Sequence, residues 1–387
     1  MIDPALIGLG LTPMSVRPGG GAEALALEAV RRALEDAAVG LDEVDGLLVN
    51  SSQGIRPDRV GTALARHGGF KQLRLLEHVE IKGATAAAMV QRAVLAVRAG
   101  MASTVVCVFG DAPLRPGGTS GSTYAKSGGV DGLRGLERAS GLLGSVPTFA
   151  LLASRYLALT GGSEADLCAV VRSTRAWAVA NPQAVQRSPL TAADYESSRM
   201  VSTPLRVLDC ARPVNGAGAV VIGDARRAVE AGHPPVFVRG MSQWHPMRRR
   251  TAPGESWFGG GAGPAVDAAL AMAERSRADI DVLELYDPFS VVTLCLLEDY
   301  GFCELGQAGE LARAGALGPG GKLPTNTGGG QLSAFYLQGI TPLAEGIIQL
   351  RGNGGERQVA GASTALVAGI GGRIDHHAFV VLDRDAA

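Results

Sequence analysis

The glycine cluster Asn326-Thr-Gly-Gly-Gly330 is the segment whose residue types and position are best suited to binding a ligand. It stands just before a predicted helix start that carries a tyrosine. Backbone amides beside glycines can approach a ligand closely, because no Cβ is in the way. The clusters Gly19–Gly21 and Gly259–Gly263 lack the Rossmann or Walker spacing after a strand, so they are predicted to be turns. Ligand binding is therefore expected at Asn326, Gly329 and Gly330.

The cysteines and histidines do not form a catalytic or metal-binding pattern. No Cys-x-x-Cys pair occurs among the five widely spaced cysteines, which indicates neither a zinc site nor a disulfide framework and favours a reduced, cytoplasmic location. A catalytic thiolate is usually stabilised at a helix N-terminus, whereas Cys107 lies inside a predicted strand, Cys295 inside a predicted helix and Cys210 just after a strand. The six histidines are predicted to be surface or satisfied core side chains, with His245 and His376 the two that could face a pocket.

Composition excludes several classes of protein. The chain has 387 residues with 36 basic and 37 acidic side chains, so it lacks the positive charge of a nucleic-acid binder. No apolar run approaches the roughly 18–20 residues that span a bilayer, and the N-terminus lacks the pattern of a signal peptide. The 54 glycines show no collagen-like period, so they are expected to serve turns and close backbone approaches.

The elements that must position any site are predicted by an internal repeat. Apolar residues at helical spacing, such as Ala29 and Ala33, lead into the apolar strand 44–50. The same pattern recurs 236 residues later, at Ala265 and Ala269, and leads into strand 280–286. This constant offset predicts two halves of one ancestral α/β unit, residues 1–225 and 226–387. A helix ending at Gly100 and another ending at Gly352 are apolar on most faces, so both are predicted to lie between two sheets.

An insertion is predicted at about residues 111–201 of the first half. Its first part, 116–144, is rich in glycine and serine and is predicted to be a mobile loop. Its second part, 147–180, has a helical pattern in which Tyr156, Leu159 and Trp177 are expected to pack on one face. Substrate recognition and a merely structural lid are equally compatible with such an insertion.

Over nearly its full length the chain resembles the thiolase superfamily, in particular the sterol-carrier-protein-X branch. The resemblance is carried by the duplicated halves and by four strings: Ala33-Leu-Glu-Asp-Ala37, Leu205-Arg-Val-Leu-Asp-Cys210, Tyr286-Asp-Pro-Phe289 and Asn326-Thr-Gly-Gly-Gly330. It implies a thiolase fold, in which two βαβαβαββ halves form a five-layered αβαβα sandwich with an inserted loop domain.

The chain departs from the thiolase pattern at each catalytic position. The string Lys82-Gly-Ala-Thr85 places Gly83 at the position of the thiolase nucleophilic cysteine, and Tyr336 matches the histidine of the Gly-His-Pro string. Tyr286 replaces the histidine of the His-Asp-Cys-Phe string, and the late thiolase cysteine falls within 368–371. Because glycine has no nucleophile, the thiolase mechanism through an acyl-enzyme is excluded.

What the resemblance implies instead is an aldolase. Cysteine-free homologues of this kind resemble the steroid side-chain aldolases, which perform a retro-aldol cleavage of a β-hydroxyacyl-CoA and release a short acyl-CoA with a ketone or aldehyde. Tyr286 and Tyr336 would be the acid–base and enolate-stabilising residues, while Asp287 would orient a phenol or only anchor the strand-to-helix turn. The backbone amides of Gly83 and Gly371 would form a second oxyanion site, and His245 would line the substrate pocket. Glycine at position 83 would also leave room for a bulky ring carbon of the substrate.

The resemblance further implies the assembly. The chain is expected to bind no cofactor itself, to take coenzyme A as part of its substrate, and to form a homodimer core. In that family a small partner protein with a zinc ribbon and an OB fold completes an α2β2 heterotetramer, so zinc is expected only in the partner. No nucleic-acid or membrane partner is expected. Two alternatives remain open at this stage: a non-catalytic acyl-CoA-binding or scaffold subunit, and an acyltransferase that works without a cysteine nucleophile.

Overall fold

The computed structural model describes residues 3–52, 60–118, 123, 132–246 and 261–385 of the chain. The predicted loop 116–144 lies partly outside these ranges, as do Gly259 and Gly260 of the second glycine cluster. Within the described part of that loop, residues 132–139 form a helix, which the glycine-rich composition did not predict.

The regular elements alternate between strands and helices along the chain. The strands are β1 (Pro4–Leu11), β2 (Gly46–Asn50), β3 (Leu75–Val79), β4 (Val105–Asp111), β5 (Met200–Ser202), β6 (Leu205–Arg206), β7 (Gly216–Asp224), β8 (Val236–Trp244), β9 (Val282–Leu285), β10 (Thr364–Gly371) and β11 (His376–Asp383). The helices are α1 (Ala22–Asp36), α2 (Val60–His67), α3 (Thr85–Arg98), α4 (Gly132–Ala139), α5 (Ser145–Thr160), α6 (Glu164–Val179), α7 (Ala192–Ser197), α8 (Ala225–Glu230), α9 (Gly263–Met272), α10 (Ser290–Asp299), α11 (Ala308–Arg313) and α12 (Ile340–Leu350). A 3₁₀ turn, Lys82–Ala84, precedes α3, and a π-helix, Gly330–Ala334, precedes α12.

The two halves repeat one topology. The first half contributes the strand order β3-β2-β4-β7-β1 and the second contributes β9-β10-β11-β8. The two sets join edge to edge where β1 pairs with β8. A close approach is repeated as well, since a Cβ on Gly8 or on Gly240 would collide with the carbonyl oxygen of the corresponding helix residue, Ala33 or Ala269. The predicted boundary at residue 225 falls at the start of α8, between the two sets of strands.

The second half departs from the predicted βαβαβαββ order at its third strand. That strand is reduced to a single bridge between Leu283 and Thr325. Pro324, just before the bridge, has no N–H to donate, and Asn326, just after it, has a left-handed φ of 52°. Extended pairing therefore stops after one residue, and the chain turns towards the glycine cluster.

Helices α3 and α12 form the middle layer and contact strands of both halves. Most of their residues are buried, as expected for helices covered on both faces. Helix α1 covers the outer side of the first-half strands and α9 covers that of the second half. The thiolase fold with its five αβαβα layers is thus confirmed, and the first turns of α3 and α12 lie together, since a Cβ on Gly339 would collide with the Gly83 carbonyl.

The insertion carries α4 to α7 and the β5–β6 pair. Tyr156 and Trp177 are buried as predicted, but the expectation for Leu159 was wrong, because that side chain is 59% exposed. Leu159 stands on the last turn of α5, which ends at the left-handed Gly161. No helix in the described ranges combines the length and apolar character needed to cross a membrane.

Candidate active site

Tyr286 stands at the end of β9, where its amide N–H donates to the carbonyl of Ala368 in β10 (3.0 Å). Its ring lies directly over Gly83, in the turn before α3. A Cβ placed on Gly83 would collide with two ring carbons of Tyr286 and with the carbonyl oxygen of Ile370. The space above Gly83 is therefore filled by the protein's own phenol, and the expected room for a substrate ring carbon at that point is not there.

Tyr336 comes from the other side of the site, between the π-helix and α12. Its backbone forms a bridge with Pro213, which precedes β7 of the first half. The hydroxyl oxygens of Tyr286 and Tyr336 are 3.0 Å apart, and the rings meet edge to face at 72°. The structure thus brings the two tyrosines together as one hydrogen-bonded dyad.

The surroundings of the dyad keep the Tyr336 phenol protonated. Burial is the largest influence and raises its pKa above the ordinary value, while the hydrogen bond with Tyr286 acts in the opposite direction. The negative charges of Asp111 and Glu80 raise the Tyr336 pKa further. A neutral phenol in a low-dielectric site is a hydrogen-bond donor, which suits stabilisation of a developing oxyanion.

Asp287 is fully buried and binds the backbone of the π-helix that leads to Tyr336. Its carboxylate accepts hydrogen bonds from the amides of Gln331 (2.7 Å) and Leu332 (3.5 Å) at the start of the π-helix. Gly330 is needed there, since a Cβ would collide with the carboxylate. Burial raises the pKa of Asp287 to about 7, although these hydrogen bonds oppose the shift. These contacts favour the anchoring role for Asp287, and its catalytic role stays a prediction.

Asn326 and the glycine cluster contact protein atoms. The Asn326 side-chain oxygen accepts from the Leu285 amide (2.7 Å), so the residue fixes the end of β9. Gly329, with a left-handed φ of 98°, packs against Ala178 of α6. The expectation that these residues also approach a ligand stays a prediction. The close approaches that need Asn326, Gly329 and Gly330 are to β9, α6 and Asp287, and they position the segment that leads to Tyr336.

Gly371 lies at the end of β10 and His245 directly follows β8, and β11 lies between these two strands. Gly371 ends β10 and packs against the carbonyl of Ile81, one residue before the turn that contains Gly83. A second oxyanion site at Gly83 and Gly371 stays a prediction. The Nδ1 atom of His245 lies 3.3 Å from Nδ1 of His376. Its Nε2 atom lies 2.9 Å from the side-chain oxygen of Gln243. The pKa of His245 is lowered, mainly by burial and further by the neighbouring His376. Its contact with the substrate stays a prediction.

Sequence reasoning missed Asp111 as a site residue. This carboxylate is buried at the end of β4 and acts electrostatically on Tyr336. The available signal was an acidic residue that ends the apolar strand Val105–Asp111. Among the described residues, no group of three or more His, Cys, Asp or Glu side chains is arranged to hold a metal ion.

Comparison with known proteins finds relatives that match nearly the whole chain. The chain is 34% identical, over 95% of its length and 96% of the relative's, to a protein named 17-hydroxy-3-oxo-4-pregnene-20-carboxyl-CoA lyase from Mycobacterium tuberculosis. It is 31% identical, over 90% of each chain, to a steroid side-chain-cleaving aldolase from Thermomonospora curvata. This chain belongs to the steroid side-chain-cleaving aldolase family of the thiolase superfamily.

Two further comparisons support the assignment. Residues 251–384 match the model of the thiolase C-terminal domain-like family. A solved structure titled "Ltp2-ChsH2(DUF35) aldolase" superposes with a TM-score of 0.86 at 28% identity, covering 99% of this chain and 98% of that one. The aldolase family thus retains the thiolase fold.

Proposed function

We propose that the chain catalyses the retro-aldol cleavage of a β-hydroxyacyl-CoA whose hydroxyl carbon belongs to a steroid. The observation that carries the proposal is the Tyr286–Tyr336 dyad, with 3.0 Å between the hydroxyl oxygens, standing over the glycine that replaces a nucleophile. The name of the Mycobacterium tuberculosis relative describes such a compound, with its hydroxyl on the carbon β to the thioester. The steroid as substrate class rests on that relative.

The reaction needs one base, one acid and an oxyanion site. The base removes the proton from the β-hydroxyl, the Cα–Cβ bond breaks, and the electron pair moves to the acyl-CoA fragment as an enolate. The former hydroxyl carbon leaves as a ketone. A proton then reaches Cα and completes the short acyl-CoA. One proton is removed and one returned, so the dyad ends in its starting state and no covalent intermediate on the enzyme is required.

We assign the two phenols different parts. Tyr336 is the donor, because burial and the carboxylates of Asp111 and Glu80 disfavour its charged form. It therefore donates to the thioester oxygen, whose negative charge grows in the transition state. Tyr286 takes the hydroxyl proton as its own phenolic proton passes to Tyr336 across their hydrogen bond, and Tyr336 passes its proton to the enolate, so both phenols end neutral.

We also propose the assembly that family membership suggests. The chain would form a homodimer core and bind a small zinc-ribbon and OB-fold protein in an α2β2 heterotetramer in the cytoplasm. The structural relative's title, which names two components, supports a two-protein complex. Zinc would belong to that partner, and coenzyme A would enter only as part of the substrate.

The test uses the chain co-expressed with its partner and 17-hydroxy-3-oxo-4-pregnene-20-carboxyl-CoA. Wild type should release a ketosteroid and a short acyl-CoA, measured by mass spectrometry. Tyr336→Phe and Tyr286→Phe should each reduce kcat by about 100-fold or more, since each removes a proton-transfer or oxyanion group. Tyr300→Phe is the matched control, because Tyr300 is a buried tyrosine whose hydroxyl is hydrogen-bonded to His377 and not to the dyad.

Two outcomes would contradict the proposal. Acyl-CoA binding without release of either product, with this substrate and with shorter β-hydroxyacyl-CoA homologues, would indicate a non-catalytic subunit. Turnover by Tyr336→Phe at the rate of Tyr300→Phe would remove the dyad from the mechanism.

A further inference from the structure

Two histidines face each other across a pair of neighbouring strands in the second half. His245 directly follows β8 and His376 begins β11, and these strands pair antiparallel with Trp244 opposite His377. The next position along the ladder therefore sets the two histidines opposite each other on one face, where side chains approach closely. Their Nδ1 atoms are 3.3 Å apart, and their ring centres are 5.3 Å apart.

The hydrogen bonds behind His245 assign the position of its proton. The side-chain nitrogen of Gln91, in α3, donates to two backbone carbonyls, one in β8 and one in β11 (both 2.9 Å). The Gln91 oxygen therefore accepts from the nitrogen of Gln243 (2.6 Å), which turns the Gln243 oxygen towards Nε2 of His245 (2.9 Å). An amide oxygen only accepts, so Nε2 of His245 carries the proton, and its Nδ1 presents a lone pair to His376.

The ring of His376 can present a second lone pair at the same point. Among the described residues it has no hydrogen-bond partner other than His245, so its proton can reside on Nε2. The 3.3 Å separation lies beyond the range of about 2.7–3.2 Å that is usual for N–H···O hydrogen bonds. Two nitrogens bound to one tetrahedral zinc ion at about 2.0–2.1 Å are about 3.4 Å apart. The spacing therefore suits two ligands of one ion.

The chemistry of the pair suits a transition-metal ion as well. Imidazole binds metal only in its neutral form, and burial, with a further contribution from His376, lowers the pKa of His245 and so favours that form. A histidine that binds metal usually donates its other N–H to an acceptor that fixes the ring, and Gln243 is that acceptor. Imidazole suits zinc, copper and nickel, whereas magnesium and calcium prefer oxygen ligands.

We propose that His245 and His376 bind one divalent ion of the zinc, copper and nickel class through their Nδ1 atoms, with water in the remaining positions. Among the described residues, no third His, Cys, Asp or Glu side chain joins the pair, so the ion is exchangeable and not enclosed. It joins the end of β8 to the start of β11. The site differs from the zinc proposed for the partner protein, and it does not depend on the aldolase function.

The test titrates the full-length chain with copper(II), which electron paramagnetic resonance detects directly. Wild type should bind one copper ion per chain at this site, with nitrogen couplings from two imidazoles. His245→Ala and His376→Ala should each lose one set of couplings and bind copper at least about tenfold more weakly, because loss of a supporting partner alone costs about 10–100-fold. Gln243→Leu, which removes the acceptor for the His245 N–H, should weaken binding by about tenfold.

A matched control and a second measurement separate this site from adventitious binding. His67→Ala removes a histidine on α2 that contacts Glu23 instead, and it should keep the wild-type affinity and spectrum. Zinc should raise the melting temperature of wild type and of His67→Ala, because an ion that binds only the folded state stabilises it. It should leave the melting temperature of His376→Ala unchanged.

Three outcomes would overturn the inference. They are a wild-type copper spectrum without imidazole couplings, an affinity that His376→Ala leaves unchanged, and a loss in His67→Ala as large as that in His376→Ala. If His376→Ala does not fold, His376→Gln makes the same comparison with a side chain that lacks the imidazole nitrogen. Turnover is not measured, so failure here would leave the proposed function standing.

Discussion

The carboxyl ends of β2 and β9 are corresponding places in the two halves, yet they carry different chemistry. After β9, the ring of Tyr286 lies over Gly83 in the turn before α3. At the end of β2, the Asn50 amide donates to the side chain of Gln338 (3.1 Å) in the turn before α12. In each half, the side chain at the strand end therefore reaches the start of the other half's central helix.

The difference shows that the duplicated backbone places a side chain at the same point in each half, and that the identity of this side chain decides the chemistry. Asn50 and Gln338 are neutral amides that act neither as acid nor as base at ordinary pH. Tyr286 instead meets a second phenol, because the turn before α12 also carries Tyr336. That turn bridges to Pro213 of the first half. Both tyrosines of the dyad belong to the second half, and each contacts the first half, Tyr286 at Gly83 and Tyr336 at Pro213.

The largest loss of activity is expected when one carbon is added at Gly83, beneath the ring of Tyr286. Gly83→Ala should lower kcat by about 100-fold, because the new Cβ collides with the Tyr286 ring and displaces its hydroxyl from Tyr336. Gly61→Ala is the control, since its Cβ would meet only the Leu76 side chain at 3.6 Å. The measurement is the steady-state rate of each variant, with melting temperatures compared to exclude unfolding. Equal rates for Gly83→Ala and Gly61→Ala would contradict the placement of the Tyr286 ring over Gly83.

A second difference between the two strand ends is expected at Asp287, the residue after Tyr286, and it should appear in the pH dependence of stability. Asp287 corresponds to the neutral Ser51 of the first half, and burial raises its pKa from 3.8 to about 7. The folded state therefore holds the proton more tightly, so this contribution to stability is fully present below the unfolded pKa and is lost as pH rises towards 7.

Asp287→Asn should remove that dependence. The free energy of unfolding of wild type should fall relative to the variant by up to about 4 kcal/mol between pH 4 and 7, from about 1.4 kcal/mol per pKa unit. Asparagine keeps an oxygen for the Gln331 amide, so the fold should survive. Chemical denaturation at several pH values measures the difference, and parallel curves for the two proteins would contradict the raised pKa.

The smallest effect on activity and stability is expected at Asn50, which ends β2 as Tyr286 follows β9. Asn50→Leu should change the free energy of unfolding by only about 1 kcal/mol, because it removes one hydrogen bond and also a buried side-chain oxygen that has no partner among the described residues. Its kcat should stay within about tenfold of wild type. A loss as large as that of Gly83→Ala would show that the two strand ends share the chemistry.

Much of the fold followed from the sequence because its patterns are local and repeated. The 236-residue offset between Ala29 and Ala265 predicted the duplication, and the apolar patterns before Gly100 and Gly352 predicted the buried central helices. The missing third strand of the second half did not follow, since it depends on how Pro324 and Asn326 meet Leu283.

The sequence by itself determined the chemistry that is excluded and the residues that stand in its place. Glycine at position 83 excludes an acyl-enzyme, and tyrosines at 286 and 336 offer phenols instead. Only the tertiary structure decided that the phenols touch, that the space over Gly83 is filled by a ring, and that the glycine cluster packs on protein. The physical reason is that these properties depend on side chains from distant segments meeting in space, and local patterns do not record such distances.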